Sequence, residues 1–184
     1  MEADRPFADL LAALAERTPA PGGGCATAWG GALAAALLEM AASYAGQPEV
    51  VERAAGLRAE LLALGERELE SYTPVLAAER LGTEDPERPA ALAAALSQAC
   101  EAPLAIARAA AEVAELSSVV AGQGPAALNG DAIAGATLAE AACQAAARLV
   151  EINLAGDRDD PRLAEVATLR LRAAGVRDRA LGVG

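Results

Sequence analysis

Cys25-Ala26-Thr27-Ala28-Trp29-Gly30-Gly31-Ala32-Leu33-Ala34-Ala35-Ala36-Leu37-Leu38-Glu39-Met40-Ala41-Ala42-Ser43-Tyr44-Ala45 decides the fold, because Glu39 is the only charge between Arg17 and Glu49. A helix that is apolar all round is either a core helix or a membrane span. This one is long enough to span, but it is mostly Ala and Gly, has few Leu, and lacks a flanking aromatic belt or basic loop. It reads as a central helix buried in protein, and no membrane partner is expected. The whole chain has 184 residues, 54% hydrophobic and 22% charged but only 2% aromatic, so its core has to be aliphatic. Its 52 Ala and 25 Leu against 10 Val and 3 Ile favour helix and deprive strands of their β-branched and aromatic residues. An all-α protein of one domain, residues 1–184, is expected.

Working outward, Phe7, Leu10, Leu11 and Leu14 have the i, i+3, i+4, i+7 spacing of one helical face, predicting a first helix over about Pro6 to Glu16. Thr18-Pro19-Ala20-Pro21-Gly22-Gly23-Gly24 cannot be helical, and the central helix follows it and stops at Gly46. Pro48 opens a third helix to Leu81, bent near Pro74. Thr83-Glu84-Asp85-Pro86 starts a fourth that runs to about Val120 with a kink at Pro103. Asn129-Gly130-Asp131 caps a fifth reaching about Ala155, and Asp160-Pro161 starts the last, ending near Leu181. The expected architecture is a compact bundle of five to six helices, some long and kinked.

Absent residue types exclude much chemistry. The chain has no His and no Lys, all 15 basic residues being Arg, which removes histidine triads, histidine metal sites, Schiff-base lysines and the P-loop lysine. Cys25, Cys100 and Cys143 lie far apart in an odd number, so they suggest neither a metal site nor a disulfide framework and read as small core residues in a reducing cytoplasm. The acidic, proline-containing start has no signal-peptide pattern, so the cytoplasm is the expected location. A net charge of −11 argues against nucleic-acid binding, which needs clustered positive charge.

Polar groups on apolar faces are the candidate site. Val50, Ala54, Leu57, Leu61, Leu64, Glu68, Tyr72 and Val75 step by three and four and form one stripe, with Glu68 inside it. A carboxylate there is either a general acid or base, with the Tyr72 hydroxyl one turn on, or merely a stripe edge reached by water. In the fifth helix Thr137, Glu140, Gln144, Arg148 and Glu151 gather opposite Leu138, Ala142, Ala146 and Leu149, which predicts the second set to be buried. Asp131 and Asn153 fall on that apolar side; Asp131 is a catalytic candidate or a plain cap, and Asn153 a ligand-orienting amide or one that caps a neighbouring helix end. Gly22, Gly23 and Gly24 leave free backbone amides at a positive helix end, suited to an anion or to a tight connection. Cys25 follows on the first turn, where a thiol pKa is lowered. Glu39 is expected to meet an Arg across a helix interface.

Thr18-Pro19-Ala20-Pro21-Gly22-Gly23-Gly24-Cys25 before an Ala-rich helix, then Glu101-Ala102-Pro103-Leu104, Gly130-Asp131-Ala132 and Ile152-Asn153-Leu154, resemble the cyclodeaminase/cyclohydrolase family, which includes the cyclodeaminase half of formiminotransferase-cyclodeaminase. The blocks occur in the family's order over nearly the whole chain. The resemblance implies an all-helical homodimer or higher oligomer acting on tetrahydrofolate one-carbon units. It either closes formiminotetrahydrofolate to methenyltetrahydrofolate with loss of ammonia, or interconverts methenyl- and formyltetrahydrofolate with water. No tightly bound cofactor and no metal are implied. Glu68 and Asp131 are the catalytic candidates, with Gly22, Gly23, Gly24, Cys25, Tyr72 and Asn153 for substrate binding. Several positions depart from the family's pattern: Cys25 stands for its usual Ser, Glu68 for Asp, Gly130 for Ser, and Pro125 and Leu149 for Asn, while its usual Lys is absent. These departures motivate the alternative of a catalytically silent helical oligomer serving as scaffold or binding module.

Overall fold

The computed structural model describes residues 6–123 and 129–180, and among these every regular element is a helix. The elements are α1 (Phe7–Ala15), α2 (Gly23–Tyr44), α3 (Pro48–Ser71), α4 (Thr73–Glu79), α5 (Arg88–Ala99), α6 (Glu101–Gln123), α7 (Asn129–Asn153) and α8 (Pro161–Ala180). The six expected segments are recognisable, with two of them interrupted. The third breaks at Tyr72, two residues before Pro74, and the fourth at Cys100, three residues before Pro103. In each case the proline ring clashes with the preceding turn and removes one rung of the ladder. Pro125 lies outside the described residues.

The expected burial of α2 holds on one side only: it packs on α3, α6 and α7 with Ala28, Ala34, Ala35, Leu38 and Ala42 fully buried, while Leu33, Met40 and Tyr44 on its outer line stay exposed. Small residues let the neighbours come close. A methyl on Gly31 would lie 3.1 Å from a Leu61 methyl, on Gly65 2.8 Å from the Trp29 ring nitrogen, and on Gly135 3.4 Å from the Ala34 carbonyl. Gly31 on Leu61 and Gly65 on Trp29 put α3 antiparallel to α2, while Cys100 on Val150 and Ser117 on Gly135 put α7 antiparallel to α6. Arginine pairs bind the outer seams: Arg53 to Glu112 between α3 and α6, Arg108 to Glu165 and Arg172 to Glu115 between α6 and α8. Glu39 meets Arg58 of α3 at 2.9 Å, as expected of a lone acid on an Ala-rich helix.

Two faces differ from expectation. On α1 only Leu10 of the apolar quartet is fully packed, against Cys25 and Trp29, while Phe7 and Leu11 stay exposed because a nine-residue helix lies on the bundle along one narrow line. On α7 the buried line is Ala132, Ala136, Ala139, Cys143, Ala146 and Val150, and Glu140 is buried beside it while Leu138 is exposed. The cause is α8: its Arg170 takes Gln144 and Glu151 and its Arg177 reaches Glu140, so the polar side of α7 faces a helix rather than water. Burial pushes the Cys100 and Cys143 thiols up to about 11, consistent with inert core positions.

Candidate functional site

Gly22 closes the proline-glycine loop as the residue before α2, and its carbonyl accepts the Ala26 amide at 3.0 Å. No side chain caps this helix start, so first-turn peptide nitrogens remain at the positive end of the dipole. Gly22 and Gly23 are exposed, whereas Gly24 is buried under α3.

What covers Gly24 is Glu68. A methyl added to Gly24 would lie 2.0 Å from Glu68 Oε1 and 2.4 Å from its carboxyl carbon, so the acid rests against bare backbone in space that no other residue would leave. Its stripe position has the predicted consequence: Ala54, Leu57, Leu61 and Leu64 are buried, and Glu68 continues their line partly buried. Oε2 is shut from solvent without a hydrogen-bond partner. Burial pushes the carboxyl above its usual range, with the nearby Ser71 hydroxyl pulling more weakly the other way; that hydroxyl donates its proton to the Glu68 main-chain oxygen at 3.0 Å. An acid held at a helix start, with an unused oxygen and a weakened tendency to ionise, is equipped to take a proton or to accept one from a ligand.

The other candidates are distributed unevenly. Cys25 is 1% exposed, its thiol donates to the Gly65 carbonyl at 3.5 Å, and burial with the neighbouring Glu68 charge raises its pKa. That thiol is kept neutral, against the lowering expected at a helix start. Tyr72, at the joint between α3 and α4, is exposed. A cleft of about 370 Å³ opens on the adjoining face of α3, lined by Arg67, Glu70, Ser71, Pro74 and residues of the α5–α6 joint.

Asn153 stands at the same end of the bundle but uses its amide within the protein. Pro103 has no N–H to give the Ala99 carbonyl, and Asn153 Nδ2 donates to that oxygen instead, at 3.2 Å. Asp131 lies in the first turn of α7, at the opposite end. Gly135 is level with Ala34 and Leu37, so at 1.5 Å per residue Asp131 is about 20 Å along the bundle from Gly24. Within one chain the structure brings together the glycine loop and Glu68, and not Asp131. Arg88 and Arg162, which sequence reading passed over, belong to a separate cavity, Arg88 in its lining and Arg162 holding Ser97 and Asp160 behind it; their signal was only that of arginines beside a helix start.

Among described residues no group of three or more His, Cys, Asp or Glu side chains is arranged to hold a metal ion.

Known proteins with the same pattern are specific. A profile of the formiminotransferase-cyclodeaminase family matches residues 6–170. Methenyltetrahydrofolate cyclohydrolase of Methylorubrum extorquens is 32% identical over 92% of this chain and 91% of its own length. The crystal structure of formiminotetrahydrofolate cyclodeaminase from Thermotoga maritima superposes with a TM-score of 0.89 at 25% identity, covering 100% of this chain and 97% of the other.

Proposed function

Because the chain belongs to the formiminotransferase-cyclodeaminase family, we propose that it hydrolyses the methenyl bridge of methenyltetrahydrofolate to formyltetrahydrofolate, with Glu68 moving the proton. It is a folate one-carbon enzyme of the cyclodeaminase/cyclohydrolase kind. The cyclohydrolase reaction takes precedence over ring closure because the relative at 32% identity, matched along nearly its full length, carries that name.

The observation carrying the mechanism is the Glu68 carboxylate, seated on Gly24 with a buried, unpartnered oxygen. The bridge carbon of the substrate is shared by two nitrogens in a cation. Water adds through oxygen to that carbon and gives one proton to Glu68; the second leaves to solvent. As one carbon–nitrogen bond breaks, its electron pair stays on nitrogen, which takes the proton back from Glu68, and the carbonyl forms. One water is consumed and one proton released. A carboxyl pKa raised by burial suits this exchange, because the protonated acid is then less far from neutral pH. The exposed Gly22 and Gly23 amides at the positive end of α2 suit the carboxylates of the folate tail, and Tyr72 offers a hydroxyl at the rim.

Asp131 enters this reading only across a subunit boundary. Two copies paired antiparallel through α2 set the Asp131 end of one against the Glu68 end of the other, and a homodimer is proposed on that ground. The proposed location is the cytoplasm.

Absorbance of methenyltetrahydrofolate tests the reaction directly. The chain is expected to clear it well above the buffer rate, and Glu68→Gln to lose at least 100-fold in kcat while KM stays within a few-fold. A Glu68→Gln rate within threefold of the parent overturns the role of Glu68, and clearance no faster than buffer overturns the reaction. The name of the Thermotoga relative favours one second reading, closure of formiminotetrahydrofolate, which ammonia release would report.

A further inference from the structure

A second cavity, of about 440 Å³, lies between the start of α5 and the end of α7, away from the Glu68 carboxylate. Its volume is in the range of small-molecule sites. Leu92 and Leu96 of α5 and Leu154 beyond α7 supply an apolar wall.

Most polar groups in that wall are engaged or open to water, and one is neither. Asp160 is held by Arg162 through Nε at 3.0 Å and Nη2 at 2.7 Å. Ser97 receives Arg162 on both its hydroxyl and its carbonyl, at 2.7 and 2.9 Å. Asp157 accepts the Asp159 amide at 3.3 Å, and the Asn153 amide is fixed on Ala99. Arg88, the first residue of α5, is different. Its Nε is shut from solvent with no hydrogen-bond partner, and among the described residues no acid pairs with its guanidinium. A buried N–H of a cation left unmade is costly, so the group is one whose partner is to be supplied. Asp160 is neutralised by Arg162 and Asp157 is exposed to water, whereas the Arg88 N–H is both dry and unpaired, so the charge left without a partner inside the wall is positive and the missing ligand negative.

From this cavity and its unpartnered guanidinium we infer that the chain binds a small carboxylate carried on a compact apolar body, the acid on Arg88 and the body against Leu92, Leu96 and Leu154. A planar guanidinium matches a carboxylate with two parallel hydrogen bonds, which a neutral amide cannot reproduce. The inference stands apart from the reaction proposed above, since it uses neither Glu68 nor the glycine loop.

Calorimetric titration of the full chain with 4-phenylbutyrate and with its uncharged amide tests it. The acid is expected to bind at least tenfold more tightly than the amide. Arg88→Gln is expected to remove about tenfold or more of that affinity, with Arg88→Lys between. Ala93→Asp places a negative charge at an exposed position of the cavity wall and is expected to abolish binding while melting like the parent. Equal affinity for acid and amide, no binding by the parent chain, or unchanged binding by both Arg88→Gln and Ala93→Asp overturns the inference. The carboxylate can come from a separate acid or from the tail of a folate. 5-Formyltetrahydrofolate that displaces the probe identifies the tail, and simultaneous binding identifies a separate acid; both uphold the site.

Discussion

Gly24 and Glu68 form one structural unit, and the two can be separated by mutation. Gly24→Ala drives a methyl into the carboxylate at 2.0 Å, but the carboxylate is the end of a flexible side chain and can swing aside. The expected outcome is a fall in kcat of two orders of magnitude or more with the melting temperature lowered by a few degrees at most, read from kinetics and calorimetry on one preparation. Gly65→Ala is the counterpart: its methyl meets the Trp29 ring at 2.8 Å and 3.1 Å inside the packed seam, so about 1–3 kcal/mol of stability should be lost. Glu68 also carries a pH signature. Its folded pKa is raised, so the folded state holds a proton that the unfolded state has released between the ordinary carboxylate range and the raised value. Stability from this group is complete below that range and is lost as pH rises through the window. Glu68→Gln should remove this loss, leaving the variant more stable than the parent at neutral and alkaline pH, and parallel thermal melts from pH 4 to 8 measure it. Glu68 was legible in the sequence because an acid interrupts a stripe of Leu and Ala. Its seat on Gly24 was not, since contact across two helices depends on register that neither helix encodes alone.

The helices were legible where punctuation was strong and faces where residue sizes differed. Pro74 and Pro103 announced the breaks at Tyr72 and Cys100, and Gly46 and Pro48 the turn between α2 and α3. The α7 face was misread because its buried line is almost wholly Ala, which periodicity weighs little, while Glu140 is buried by arginines on α8 that are remote in sequence. Pro103 had a further consequence, an open Ala99 carbonyl, which identifies what Asn153 does. Asn153→Leu should cost about 1–2 kcal/mol through that orphaned oxygen and leave kcat within a few-fold, measured by denaturant unfolding beside the folate assay. The α6–α7 crossing offers the opposite sign. Ser117 is fully buried with its hydroxyl unpartnered against Gly135, so Ser117→Ala should stabilise the chain by about 0.5–1 kcal/mol.

At the scale of the molecule, a net charge of −11 keeps copies apart unless they meet on a surface that carries none of it. The outward line of α2 is such a surface. Ala26, Gly30, Leu33, Leu37, Met40 and Tyr44 follow one another by three and four, all exposed or partly so, without a charge. On the adjacent α7, Ala134, Leu138, Ala141, Ala145, Leu149 and Ile152 run likewise. A surface this apolar on an otherwise charged chain is suited to a like surface, and two-fold pairing lets one patch serve both partners. The antiparallel pairing proposed above would also answer the separation of Asp131 from Glu68, about 20 Å within one chain. Leu33→Glu with Met40→Glu should therefore give a monomer by light scattering at micromolar concentration, with helicity by circular dichroism unchanged because neither side chain is part of the core. Added salt should tighten the proposed dimer of the parent chain, since screening weakens repulsion between acidic copies and leaves apolar contact intact. If Asp131 of the second copy acts at the Glu68 site, the monomeric variant and Asp131→Asn in the dimer should lose folate turnover to a similar degree. Mixing the monomeric variant with parent chain should restore none of it. A monomeric variant with full turnover would leave Glu68 acting alone and remove the second copy from the chemistry.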